Sequence, residues 1–131
     1  MKTFYLQSFF ILFLLPSALF ADPIDRVADL IRQGNIHELS KLFASSVEIT
    51  MLDDENVYSK AQTELILNKF FSQNKPRTVK MLHKVNSNPN YMFGVLIANT
   101  DKGHYRITYT MQEIDGILLI IEMRIEVEKV K

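Results

Sequence analysis

The residues TVKMLHKV, Thr78 to Val85, raise the first chemical question in this chain. At a period of two, Val79, Met81, His83 and Val85 share one face of a strand, and three of the four are apolar. A histidine on such a face is either a general base aimed into a pocket or a polar wall residue with a local partner. A base needs an orienting group and a substrate within hydrogen-bond reach. The nearby positions expected to face inward are Val79, Met81, Val85, Phe93, Val95 and Ile97, and none is acidic. Burial without a carboxylate favours the neutral imidazole, so the wall reading is preferred. Tyr91, Tyr105 and Tyr109 are the aromatics that could line a ligand pocket beside His83. Residues of this kind otherwise pack, with the hydroxyl reaching the rim.

Other chemistries find no foothold. His37 and His104 share no ligand spacing with His83, and neither H-x-x-x-H nor HExxH occurs, so no metal site is expected. Asp53-Asp54-Glu55 lacks the alternating ligands and central glycine of a calcium loop. G-x-S-x-G, a phosphate-binding glycine loop and a dinucleotide fingerprint are all missing, and no cofactor is expected. The chain has no cysteine, which excludes thiol nucleophiles, iron–sulfur clusters, thiolate zinc and a thioether lipid anchor.

The amino-terminal residues carry an address. Met1-Lys2 precedes the apolar run Phe9-Phe10-Ile11-Leu12-Phe13-Leu14-Leu15, and Pro16-Ser17 and Ala18-Leu19-Phe20-Ala21 follow. A charged start, a short apolar centre and a small residue at the cut form a secretory signal peptide over 1–21. The alternative is an uncleaved anchor, but the run is short against the roughly 20 residues of a membrane span. Membrane contact is expected only through this segment. The domain is then 22–131, exported to the periplasm or beyond. Removing Lys2 takes the charge from 15 − 15 = 0 to 14 − 15 = −1, which leaves no field for nucleic acid.

The elements follow from caps and periods. Asp22-Pro23 opens a helix with Ile24, Val27, Leu30 and Ile31 on one stripe, and Gly34 ends it. Asn35, with Glu38 three residues on, starts a second helix carrying Ile36, Leu39, Leu42 and Phe43. At Val47 the period becomes two, through Ile49 and Met51. The run Asp53-Asp54-Glu55-Asn56 reads as a turn before a short return strand at Val57-Tyr58. Ser59 and Gln62 form a capping box for a helix over 60–73, and Pro76 blocks its continuation. Four strands near 78–86, 91–100, 104–113 and 117–128, with short connections, form an antiparallel meander. The order α-α-β-β-α-β-β-β-β is an α+β layer structure, a curved sheet wrapping the long helix as a cone.

This order, with GNIHELSKLFASSVEI, resembles the cystatin-like, nuclear transport factor two-like superfamily. The stretches NVYSKAQTELILNKFF, MLHKV, GHYRITY and DGILLIIEMRIE are most similar to a family of small secreted bacterial domains of unknown function. The resemblance implies a cone that often holds a pocket, and several enzymes of the superfamily place an acid or a His–Asp pair there. It implies no activity for this chain.

The Glu113–Ile117 turn allows two registers. A three-residue loop pairs Met111 with Leu119 and Tyr109 with Ile121; a two-residue Asp-Gly turn pairs Met111 with Ile120 and Tyr109 with Glu122. One step of slip turns every side chain over. The first keeps apolar with apolar and is preferred. It puts Ile117, Leu119 and Ile121 against the helices, and Leu118 and Ile120 outside, where Leu82 and Leu96 would join them in a homodimer surface. The second would bring Glu122 and Arg124 into the cone. Two functions follow. The preferred one is an exported, non-enzymatic domain that binds a protein or a small apolar ligand. The alternative is a small-molecule lyase or isomerase using His83 with Tyr105, Tyr109 or the Glu122–Arg124 pair. The signal pattern predicts a mature amino terminus at Asp22. Intact-mass measurement of the native protein checks this, and retention of Met1 would contradict it.

Overall fold

The computed structural model describes residues 22–129. The expected signal segment, 1–21, lies outside them.

Helix α1, Pro23–Gln33, starts where the Asp22 carboxylate accepts from the Ile24 amide at 2.8 Å. It ends at Gly34, whose φ of 70° is left-handed and costs glycine little. Ile24, Val27, Leu30 and Ile31 are buried, as the stripe predicts. Helix α2, Ile36–Ser40, is shorter than expected. Leu42 and Phe43 fall outside it, and Phe43 opens β1, Phe43–Met51. The Asn35 side chain does accept from the Glu38 amide, but the Glu38 carboxylate turns to Lys41 at 3.0 Å instead of closing a box. The turn after β1 is Leu52-Asp53, since Met51 already pairs with Asp54, and the Leu52 amide donates across to the Ile125 carbonyl at 2.8 Å. The acidic run Asp54-Glu55 therefore lies within β2, Asp54–Ser59. Helix α3, Lys60–Gln73, carries both bonds of the Ser59/Gln62 capping box. The meander follows as β3 Pro76–Asn88, β4 Tyr91–Thr100, β5 Gly103–Ile114 and β6 Ile117–Val127.

The six strands form one curved, unclosed sheet in the order β2-β1-β6-β5-β4-β3. Four neighbour pairs are antiparallel and β1 runs parallel to β6. The helices cover one face. Their apolar stripes meet Val47, Ile49, Leu96, Ala98, Ile107, Tyr109, Met111, Ile120, Met123 and Ile125 in a single core. The cone is filled by the protein's own side chains.

Two bulges correct the expected facing of the strands. In β6, Ile114 pairs with Ile117 and Met111 with Ile120, the two-residue register, with Asp115 and Gly116 both at positive φ. Such a turn matches the twist of the flanking strands. Beyond it the register shifts at Ile121, so that Tyr109 pairs with Met123 and Ile107 with Ile125. The bulge reconciles the favoured turn with apolar pairing through a register that matches neither expectation, since Tyr109 meets Met123 rather than Ile121 or Glu122. Ile120 is consequently in the core with Leu118 packed on it, and Leu96 is fully buried. Leu118, Ile120 and Leu96 therefore do not form the expected outer surface. Glu122 pairs with Thr110 on the outer face, and Arg124 is exposed beside Glu126, so neither enters the cone.

In β3, Met81 pairs with Leu96 but His83 pairs with Val95, which leaves Leu82 as the extra residue. Val79 and Met81 face the core as expected, and His83 and Val85 are turned to the outer face. On β4 the inward residues are Met92, Leu96 and Ala98, and Phe93, Val95 and Ile97 lie outside.

A close contact in the core joins α1 to the sheet. The fully buried Tyr109 ring lies over Gly94, and its hydroxyl donates to the Ile24 carbonyl at 2.7 Å. A Cβ at position 94 would sit 2.7 Å from Tyr109 Cζ and 2.9 Å from Ile24 Cγ2. Gly94 is thus required by space. Desolvation pushes the Tyr109 phenol up, with the nearby Asp25 and Asp22 carboxylates adding to it, so the hydroxyl remains a donor. Outside this contact, Lys84 reaches Asp25 at 3.0 Å and Asp22 at 3.2 Å, and Asn86 donates to Asp22 at 2.7 Å. Burial alone would raise the Asp22 carboxyl, but the Ile24 amide, Lys84 and Asn86 outweigh it and hold it below its ordinary value. Gly94→Ala should lower stability by about 2 kcal/mol through overpacking, and Tyr109→Phe by about 1 kcal/mol through the lost hydrogen bond. Urea unfolding checks both, and a neutral Gly94→Ala would contradict the close packing.

Candidate functional site

The four residues singled out for a pocket do not meet in one. His83 is exposed on the outer face of β3. Tyr91 begins β4, is half exposed, and belongs to the same outer side. Tyr105 packs on the core side of β5, with its ring edge-on to Phe70 at 5.0 Å and its hydroxyl donating to Asn74 Oδ1 at 2.9 Å. Tyr109 is spent on Ile24. His83 and Tyr91 are thus separated from Tyr105 and Tyr109 by the thickness of the sheet. Among the described residues no group of three or more histidines and carboxylates could hold a metal ion.

On the outer face, Glu48 of β1 lies beside Glu122 of β6 and close to Glu55 of β2. Its hydrogen bond with Glu55, then desolvation and the Glu122 charge, raise the Glu48 carboxyl above its ordinary value, and Arg124 opposes this. These groups are solvated, and their proximity follows from strand pairing.

The concave feature with mixed chemistry lies elsewhere. The carboxyl-terminal ends of α1 and α3 converge at the start of β3 and leave a cleft of about 340 Å³. Pockets that hold small ligands run from about 300 to 1,000 Å³. Its walls are Arg32, Gln33 and Gly34 from the end of α1, Ile36 from α2, Asn68, Phe71 and Ser72 from α3, Lys75 from the following turn and Pro76 from the start of β3. Ile36 and Phe71 are buried and form an apolar floor, while Arg32, Gln33, Asn68, Ser72 and Lys75 are exposed around it. The sequence shows why these residues gather. RQG stops one helix and SQNKP stops another, and both helices pack on the same face of the sheet. Gly34 and Pro76 announce only that each helix ends. No linear motif states that the two ends meet, because residues 37–67 separate the two groups of wall residues along the chain.

The opposite shoulder of α3 carries a shallower depression of about 290 Å³, formed by Met51, Ile66, Lys69, Phe70 and Gln73. It has one charged group and no buried polar group to orient a ligand.

Comparison with known proteins now supplies the family. A family model described as a domain of unknown function, DUF4783, matches residues 24–126. The chain belongs to the DUF4783 family. Two crystal structures of DUF4783 proteins share its fold. The one from Bacteroides uniformis is 20% identical with a TM-score of 0.78, covering 83% of this chain and 100% of its own. The one from Bacteroides ovatus is 20% identical with a TM-score of 0.75, covering 79% of this chain and 94% of its own. A protein with a cystatin-like fold from Caulobacter vibrioides is 11% identical with a TM-score of 0.60, over 81% of this chain and 85% of its own. A designed nuclear transport factor two-like protein is 15% identical with a TM-score of 0.58, over 78% of this chain and 91% of its own. The fold is therefore nuclear transport factor two-like. No curated protein matches the chain in sequence.

Proposed function

We propose that this DUF4783 domain is an exported, non-enzymatic binding domain that holds a small ligand in the cleft between the ends of α1 and α3. The observation that carries the proposal is the pairing of an apolar floor, Ile36 and Phe71, with a rim of five polar side chains in a concavity large enough for a ligand. Sites for small molecules combine these features, the floor supplying affinity and the rim orientation.

The filled cone supports placing the ligand outside it. The space where related folds often keep a pocket is taken up by Tyr109, Leu96, Met111 and Phe43, all buried to within 1%. A lyase or isomerase built on His83 would need a bound substrate near an exposed residue on the far side of the sheet. Export rests on the signal pattern of residues 1–21.

A screen of small amphipathic fragments, read by amide chemical shifts of the labelled protein, tests the site. Binders should move the amides of Gly34, Ile36, Phe71 and Ser72, and Ser72→Trp should abolish these shifts by filling the cleft. Fragments that bind only at the outer face of the sheet, around His83 and Phe93, would contradict the proposal.

A further inference from the structure

The cleft also carries information about the class of ligand. We infer that it takes a small amphipathic anion, a carboxylate on a short apolar body, and this inference rests on the cleft being the binding site. The charge of its walls is one-sided. The ionisable residues lining it are Arg32 and Lys75, both cationic, and neither an aspartate nor a glutamate lines it. Gln33 and Asn68 add neutral amide groups able to donate hydrogen bonds.

Two features could offset that positive charge. The first is the helix dipole, since two carboxyl-terminal ends point toward the cleft and would favour a cation there. The protein's own donors take several of the terminal carbonyls. Gly34 N–H donates to the Ile31 carbonyl at 3.0 Å and Asn35 N–H to the Leu30 carbonyl at 2.9 Å. The Phe70 carbonyl receives both the Asn74 amide at 2.8 Å and Asn74 Nδ2 at 3.0 Å. The Ser72 hydroxyl covers the Lys69 carbonyl at 2.8 Å.

The second feature is nearby acid. Asp29 holds Arg32 at 2.6 Å, through one guanidinium nitrogen. A guanidinium has five N–H donors, so most of its fork is left for a second anion. Asp101 engages the Lys75 main-chain amide at 3.2 Å, and not the ammonium. Lys75 therefore brings an undivided charge to the rim, and Arg32 a partly shared one. Ile36, Phe71 and Pro76 beneath them would take an alkyl or aryl group. A bare inorganic anion would leave that floor unused, and an apolar molecule without a charge would leave the cations unused.

Three probes with one tail and different heads test this: hexanoate, hexanol and hexylamine. Each is titrated into the labelled protein and followed at the Gly34, Ile36 and Phe71 amides. Hexanoate should bind about ten-fold tighter than hexylamine, attraction of the one and repulsion of the other adding across two partly solvated cations. Hexanol should fall between them. Lys75→Glu leaves one cation and one anion at the rim, so hexanoate and hexylamine should then bind alike, which separates charge from packing. Equal binding of all three would overturn the anion inference and leave the cleft standing as a binding site. Failure of all three to move these amides would overturn the binding site itself, and the anion inference with it.

Discussion

The fold depends on the way one end of α1 is held against the sheet. Tyr109 from β5 lies across Gly94 of β4, and its hydroxyl takes the carbonyl of Ile24 in the first turn of the helix. Helix α1 meets two neighbouring strands, distant from it in sequence, at van der Waals limits there. The absence of a side chain at 94 allows the ring to lie flat enough to reach the helix. The helix brings Ile24, Val27, Leu30 and Ile31 with it, and these close one side of the core. A helix of eleven residues is about 16 Å long at 1.5 Å per residue. Fixing its first turn therefore aims its last one. Arg32, Gln33 and Gly34 are placed at the cleft by a contact made at the other end of the helix.

Around this contact the polar groups reinforce the same docking. Asp22 serves as helix cap and as acceptor for Lys84 and Asn86 of β3. One carboxylate thereby ties the start of α1 to the edge strand. Exposed ion pairs contribute little each, up to about 1 kcal/mol, so apolar burial does most of the stabilising. The chain has no disulfide to assist it, since it has no cysteine.

What the sequence makes legible here is what is local. The cap at Asp22, the left-handed stop at Gly34 and the capping box at Ser59 and Gln62 are each written within four residues, and each appears in the structure. The element order and the α+β cone follow from those caps and from the change of period. The facing of the strands was less legible, because a bulge adds one residue without leaving a mark. Leu82 and Ile121 look like ordinary members of their strands, yet each reverses the parity of everything beyond it. That is why His83 lies outside although Met81 lies inside, and why Ile120 and Met123 face the same side against the simple alternation. The cleft was illegible for another reason. Its walls come from two helix ends whose meeting is decided by tertiary packing, and its residues, RQG and SQNKP, read locally as helix terminators.

The cone is occupied by side chains, and the one-sided charge over an apolar floor lies on the surface at the end of the locked helix. If the Tyr109–Gly94–Ile24 contact governs the fold, α1 should be part of its cooperative unit. Native-state hydrogen exchange measures this directly at the amides of Leu30 and Ile31. They should open with the same free energy as those of Ile107 and Tyr109 in β5, at the level of global unfolding. Exchange of the α1 amides through a local opening more than about 2 kcal/mol easier than that of the sheet would contradict it.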